Sequence, residues 1–284
     1  MSIKFLITGS DGLLGKDVSK IVSYEYPDST IESTMEFLDI RDYDRLAMEF
    51  ERILPTVVIN CAAMSNVDWC EDHPDEAFEV NAEGAFNIAR GCRHIGARLI
   101  HVSTDYVFDG KKTTPYAEHD QPNPLSIYGR SKWEGEKAIL EENPDSIILR
   151  TSTLFGRGGP NFGSSVVDRC RKGEKIKAVV DWYSSPTSTI DLAKAMKRLL
   201  GIEFKGILHF VNSEVCSRYE LASAALRMEG IDESHLIPVR LKDLDLKAPR
   251  PSYSALDNSL YTRLSGEKPR GWKEALRDFL LGQV

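Results

Sequence analysis

Short apolar runs rich in β-branched residues alternate with helical patterns through the first half of the chain. "IKFLIT" (3–8), "TVVINCA" (56–62), "RLIHVST" (98–104) and "SIILRTS" (146–152) each read as a buried strand. After the first run, Leu13, Leu14, Val18, Ile21 and Val22 fall at helical spacing. After the second, Ala77, Phe78, Ala82, Ala85, Phe86 and Ala89 mark one side of a long helical segment. The third leads, through a loop rich in Gly, Pro and charge, into a helix carrying Tyr128 and Lys132. Continuous apolar strands separated by helices predict a parallel sheet covered on both faces. The expected fold is α/β, a doubly wound, Rossmann-like parallel sheet over residues 1–152.

Beyond residue 153 the rhythm is lost. "GRGGPNFG" (156–163) is a flexible passage, and "IKAVV", "GILHFV" and "RYELASAALRMEG" follow as isolated elements. Residues 153–284 are expected to form a smaller C-terminal lobe at the sheet's ligand edge, with some segments returning to the main sheet.

Composition narrows the classes. At 284 residues, with 42% hydrophobic and 28% charged positions, the chain has the make-up of a soluble globular protein able to bury a sizeable core. A net charge of −7 argues against nucleic-acid or membrane partners. The basic run Arg169, Arg171 and Lys172 reads as a solvated helix face. Five cysteines, at 61, 70, 92, 170 and 216, are odd in number and scattered, which suggests reduced thiols and a cytoplasmic setting. The pairs Cys70/His73 and Cys92/His94 have no second half at zinc-like spacing, so no metal is predicted. "MSIKFLITG" is too short for a signal peptide, and no stretch approaches the roughly 20 apolar residues that span a bilayer.

The first candidate chemistry follows the first strand directly. "TGSDGLLG" sets Gly9, Gly12 and Gly15 in a G-x-x-G-x-x-G turn, with Ser10, Asp11, Leu13 and Leu14 between them. Such a turn lets backbone approach a pyrophosphate while the next helix aims its N-terminus at that anion. A plain glycine turn is the alternative. Residues 1–152 are accordingly expected to bind a dinucleotide. An acid closing the second strand would hold an NAD ribose, yet the expected strand end Ser33-Thr34 has none, with Glu32 and Glu36 close by. No arginine sits there either, so neither NAD(H) nor NADP(H) is selected. Asp39 and Ile40 could flank the adenine, or Asp39 could cap the helix beginning near Asp42.

The second candidate is "LSIYGRSKWEGEKA" (125–138), where Tyr128 and Lys132 are one helical turn apart and share a face. Taken alone, the pair is equally two residues of a solvated helix.

Taken together, "TGSDGLLG", "LDIRD", "NCAAMSNVDWCE", "VNAEGAFNIA", "STDYVFDG" and "PLSIYGRSKWEGE" occur in an order and spacing that resembles the dTDP-4-dehydrorhamnose reductase family of extended short-chain dehydrogenase/reductases. "ILRTS", "SSPT" and "RPSYSALD" extend the likeness over about nine-tenths of the chain. The resemblance implies reduction of a nucleotide-linked 4-keto-6-deoxy sugar by NADP(H), with NAD(H) left open. It implies Tyr128 as proton donor, Lys132 as the cation that lowers its pKa and holds the nicotinamide ribose, and Thr104 as the hydroxyl holding the substrate carbonyl. Cys61, Ala62, Ala63 and Ser65 would line the cofactor's ribose and diphosphate, or simply pack a tight strand end. Asn81 would brace the cofactor site. Asp105, Tyr106, Phe108 and Thr153 would border the sugar, and Arg250 would contact substrate or form a surface salt bridge.

The likeness weakens in two places. Similar enzymes often carry a tryptophan after "RTS", where this chain has Thr153, and an Asp-Gln pair before the Pro-Thr motif, where it reads "DWYSSPT". Both fall in the implied sugar pocket. Similar enzymes also pair across Mg²⁺ through glutamates, but "LLGKD" has none. A homodimer is left open without a metal. Two other readings remain at this stage. One is a nucleotide-sugar epimerase or dehydratase. The other is a non-catalytic NADP-binding regulatory subunit like the β subunit of methionine adenosyltransferase, which is similar in "DYVFDG" and in a tryptophan shortly before the Pro-Thr motif, here Trp182.

Overall fold

A computed structural model describes residues 3–282. Six parallel strands make the central sheet: β1 (Phe5–Thr8), β2 (Thr30–Ser33), β3 (Val57–Asn60), β4 (Arg98–Thr104), β5 (Ile147–Thr151) and β6 (Gly206–His209). Their order across the sheet is β6-β5-β4-β3-β1-β2. The chain runs outward from β1 to β2, then returns past β1 to build β3 to β6. That reversal opens a crevice between the carboxyl ends of β1 and β3, where open α/β sheets take ligands.

The apolar runs are continuous because alternate residues serve opposite faces, and both faces are covered. Phe5, Ile7, Ile59, Ile147 and Leu149 point to one side. There they meet α1 (Leu13–Glu25) and a later helix, Thr189–Leu199, through Val18, Val22, Leu192 and Met196. Leu6, Val58, Leu99 and Ile148 point to the other side, against Leu46 and Phe50 of α2 (Tyr43–Ile53) and Ile88 and Cys92 of α3 (Gly84–Ile95). Ile139 of α4 (Ile127–Glu142) completes that layer.

The long helix expected from Ala77 to Ala89 is interrupted. A short helix, Pro74–Phe78, passes through a wide π-turn, Glu79–Glu83, into α3. The extra residue rotates the stripe, so Asn81, Gly84, Ala85 and Ile88 are buried while Ala82 and Phe86 are only half-buried. "GILHFV" also differs from an isolated lobe strand, since its first four residues are β6, paired to β5 at the sheet's edge.

The remaining C-terminal segments have a core of their own. Phe155, Val166, Ile176, Leu221, Leu226, Trp272 and Leu276 pack together. They come from the short strand Leu154–Phe155, α5 (Phe162–Arg171), α7 (Arg218–Met228), the last helix Trp272–Leu280 and the parallel pair Ile176–Val179 and Leu236–Val239. Thr189–Leu199, as α6, belongs to the sheet's layer instead. No helix among the described residues is long and apolar enough to cross a membrane.

Ile88 is fully buried at the α3–sheet contact. Ile88→Ala is expected to lower stability by about 2–5 kcal/mol, read as a lower urea midpoint with unchanged slope.

Candidate active site

The turn after β1 is glycine-dependent for two physical reasons. Gly9 has φ +65°, and a Cβ there would lie 2.7 Å from the Ala62 amide nitrogen. A Cβ on Gly15 would lie 2.0 Å from the Gly9 carbonyl oxygen. The turn is therefore pressed between α1 and the segment leaving β3, and only bare backbone fits. Gly12 stands at the N-cap of α1 with no side chain capping it, whereas Asp42 caps α2 and Ser126 caps α4. A helix N-terminus left open in a cradle of glycines suits an anion such as a diphosphate.

Thr104 ends β4, and a tight turn, Asp105–Val107, carries the chain away. The start of α4 packs on that turn so closely that a Cβ on Gly129 would fall 2.2 Å from the Tyr106 carbonyl oxygen. This contact sets Tyr128 beside Tyr106, ring centroids 5.7 Å apart at 72°. One turn later Lys132 runs inward, only 2% exposed. Its Nζ donates to the Val102 carbonyl at 2.8 Å and lies 3.2 Å from His101 Nε2. Thr104, Tyr128 and Lys132 share a cleft of about 390 Å³ whose opposite wall is Gly12 to Gly15. Cys61, Ala63 and Ser65 line it from the β3 side, and Asp105, Tyr106 and Thr153 from the other.

Burial dominates the electrostatics. It pushes the Tyr128 phenol well above its ordinary pKa, with the nearby Thr104 hydroxyl pulling the other way. This corrects the expectation that Lys132 lowers Tyr128, for Nζ is turned toward β4 instead. Tyr128 is thereby held as a neutral phenol, the state a proton donor needs. Burial also lowers Lys132 to about 8, against the opposing pull of Glu136 and Cys61. Asp105 is raised by burial, relieved by the hydroxyls of Ser254, Ser152 and Thr104. Behind Lys132, Glu136 is clamped by Arg150 at 2.8 and 2.6 Å and by Ser103 at 2.5 Å, all buried.

Residues 3–283 match the model of the RmlD substrate binding domain family. The chain belongs to that family. It is 39% identical over 280 residues to the spore coat polysaccharide biosynthesis protein SpsK of Bacillus subtilis strain 168, covering 98% of this chain and 96% of that one. To the dTDP-4-dehydrorhamnose reductase of Mycolicibacterium smegmatis it is 36% identical over 290 residues, covering 100% and 87%. The dTDP-4-dehydrorhamnose reductase of Bacillus anthracis, solved in complex with NADP, superposes with a TM-score of 0.95 at 32% identity, covering 99% and 100%.

In this RmlD-family chain several expected residues stand away from the cleft. Phe108 is fully buried and stacks on Tyr116, centroids 4.1 Å apart, because the turn after Tyr106 sends it into the core. Ile40 is core, pressed against Gly84, and Asp39 is paired with Arg41 at 2.6 Å. Asp42, not Asp39, caps α2. Asn81 lies behind the cleft, where it binds both backbone groups of Met64 and the Ser131 hydroxyl, tying the segment after β3 to α4. Arg250 is held by Asp68 at 2.9 Å and by the Ala248 carbonyl. Thr153 does line the cleft, in the left-handed region at φ +42°, an unusual posture for a β-branched residue. Its hydroxyl meets that of Ser184 at 2.9 Å.

Arg218 was not foreseen. It reaches the cleft from the first turn of α7, its guanidinium stacked on Trp182 at 4.7 Å and Phe162 at 5.2 Å. Its Nε is buried without a partner. The capping box of Ser217 and Glu220 is visible in the sequence and places Arg218 at the helix start, but not toward the cleft.

Arg150→Met strands the buried Glu136 carboxylate and is expected to cost about 3–5 kcal/mol. Adding Glu136→Leu should recover most of it in the same urea titration. A single variant as stable as the parent would refute the buried-pair account.

Proposed function

We propose that this protein reduces the keto group of a nucleotide-linked 4-keto-6-deoxy sugar of the dTDP-4-dehydrorhamnose type. The observation that carries the reading is the meeting of Thr104, Tyr128 and Lys132 in one cleft with the uncapped, glycine-cradled N-terminus of α1. A nicotinamide dinucleotide, NADP(H) first and NAD(H) second, would be held by the Gly9–Gly15 turn and by Cys61, Ala63 and Ser65. When bound it supplies the hydride.

The chain's own residues supply the rest. Tyr128 gives its phenolic proton to the oxygen that becomes the alcohol. Thr104 holds that oxygen, once its hydroxyl turns from Asp105 toward the substrate. Lys132, once its ammonium turns from β4 toward Tyr128, opposes the negative charge left there. Asp105 accepts from the Ser152 and Ser254 hydroxyls and fixes both in place. Arg218, which lines the cleft from the first turn of α7, binds acceptor oxygens of the substrate through its guanidinium.

The direct test follows loss of reduced-nicotinamide absorbance with dTDP-4-dehydro-6-deoxy-L-mannose made in situ, using NADPH and NADH in parallel. Turnover is expected, and Tyr128→Phe should lower it by about 10²–10⁴-fold. Wild-type protein that consumes neither cofactor would refute the reading. Arg218→Ala should raise KM by about ten- to a hundredfold with kcat little changed, the worth of a hydrogen bond to a charged group. The Lys132 ammonium exists below about pH 8 and is lost above it, so kcat/KM should fall as pH rises through that value.

A further inference from the structure

A buried polar chain leads away from Lys132 across three neighbouring strands, through His101 in the middle of β4, Asn60 at the end of β3 and Thr8 at the end of β1. Asn60, closing β3, accepts at Oδ1 from the Ala62 amide at 3.1 Å and from the Thr8 hydroxyl at 2.7 Å. An amide N–H can only donate, so the orientation of the Asn60 side chain is fixed. Its Nδ2 therefore faces His101 Nδ1, 3.0 Å away, as a donor. Nδ1 must accept, and a neutral imidazole then carries its proton on Nε2; the tautomer is assigned from this network. His101 is 1% exposed, and burial holds its pKa well below the ordinary histidine value, so the ring is neutral.

The Nε2–H is thus aimed at Lys132 Nζ across 3.2 Å. An ammonium has three donors and no lone pair, and would meet this N–H donor to donor. A neutral amine has a lone pair that accepts it, and still donates to the Val102 carbonyl. Only the amine satisfies both contacts.

We infer that His101 is a positioning residue that acts through Lys132, turning Nζ toward β4 and stabilising its neutral amine form. Other groups around Nζ act in the opposite sense or are themselves committed. Glu136, on α4, favours the ammonium but is clamped by Arg150 of β5 and Ser103 of β4. Cys61, beyond β3, is committed as well, since burial keeps its thiol protonated, up at about 12. Tyr128 is a neutral phenol. The consequence, which rests on the reductase reading, concerns the step after reduction. Tyr128 is left as a phenolate, and a lysine proton passed toward it breaks an N–H bond and makes an O–H bond. Phenolate and ammonium become phenol and amine, and His101 accommodates that amine.

The test uses the full chain with ¹³Cε-labelled lysine, following the Lys132 titration by NMR in wild type, His101→Leu and His101→Gln. Both variants remove the opposed N–H, Gln by offering its carbonyl. Lys132 is expected to titrate about one pH unit higher in each, the worth of one hydrogen bond. The alkaline fall of kcat/KM should move up with it. An unmoved titration in a folded variant would overturn the inference, and a purely structural role would lower kcat at every pH without moving the limb. Should the variants not fold, ¹⁵N spectra of the wild-type imidazole decide: neutral Nε2–H supports the inference, and Nδ1–H or imidazolium defeats it. A shifted titration in a protein without keto-sugar turnover would leave the His101–Lys132 linkage standing and remove the reductase reading instead.

Discussion

An amine buried at the junction of β4 and α4 constrains much of what surrounds it. Lys132 lies among groups with almost no access to water, and an unpartnered polar atom there would be costly. Its needs are met by a carbonyl of β4, by His101 and by the field of Glu136 one turn along the helix. Each of those creates a further need. Glu136 requires Arg150 and Ser103, and His101 requires Asn60, which in turn requires Thr8 and the Ala62 amide. The result is a polar seam crossing β1, β3, β4 and β5 in the carboxyl half of the sheet, between layers lined mostly by hydrocarbon.

That seam borders the crevice made by the reversal of strand order. Asn60 illustrates the economy of the arrangement, since the side chain that orients His101 through Nδ2 also accepts at Oδ1 from the amide of Ala62, the residue against which Gly9 is pressed. The glycine turn and the Lys132 side chain are therefore located by one asparagine. The open end of α1 and the inward amine then face the same space. Neither feature alone would mark a ligand site, since a glycine turn also serves ordinary strand–helix junctions and Tyr–Lys pairs also occur on surfaces.

What was legible in the sequence is what local rules encode. β4 coincides with its apolar run, and the other three expected strands lie within theirs, because both-face burial demands unbroken hydrophobicity. The Gly9–Gly15 turn and the Tyr128/Lys132 spacing depend on one turn of backbone each. Readings that extended sequence adjacency into space fared less well. Phe108 follows Tyr106 by two positions, yet the intervening tight turn rotates it into the core beside Arg150. The π-turn at Glu79–Glu83 rotated a helical stripe by an amount no periodicity of 3.6 contains. Arg218 was invisible because its direction is set by Trp182 and Phe162, which lie 36 and 56 positions earlier. The expected lowering of the Tyr128 pKa failed for a related reason: spacing puts the two side chains on one face, but tertiary partners decide where Nζ points.

The two kinds of residue divide the work. Groups suited to proton handling sit on the sheet and α4, where close packing fixes them. Groups suited to recognising a substrate sit on connections and the C-terminal segments, where replacement disturbs little else. Thr153 shows the boundary between them. Its neighbour Ser152 is locked to Asp105, while Thr153 itself, held at a positive φ, turns its side chain toward the cleft and Ser184. A threonine where similar enzymes often carry a tryptophan withdraws a large aromatic surface from the pocket, and Arg218 presents a guanidinium to the same cleft. A guanidinium in the cleft wall changes what the pocket can discriminate, since a charged donor is best met by an acceptor oxygen and penalises a ligand that offers none. On the proposed reductase reading, selectivity depends on oxygen acceptors of the substrate more than on its apolar ring face.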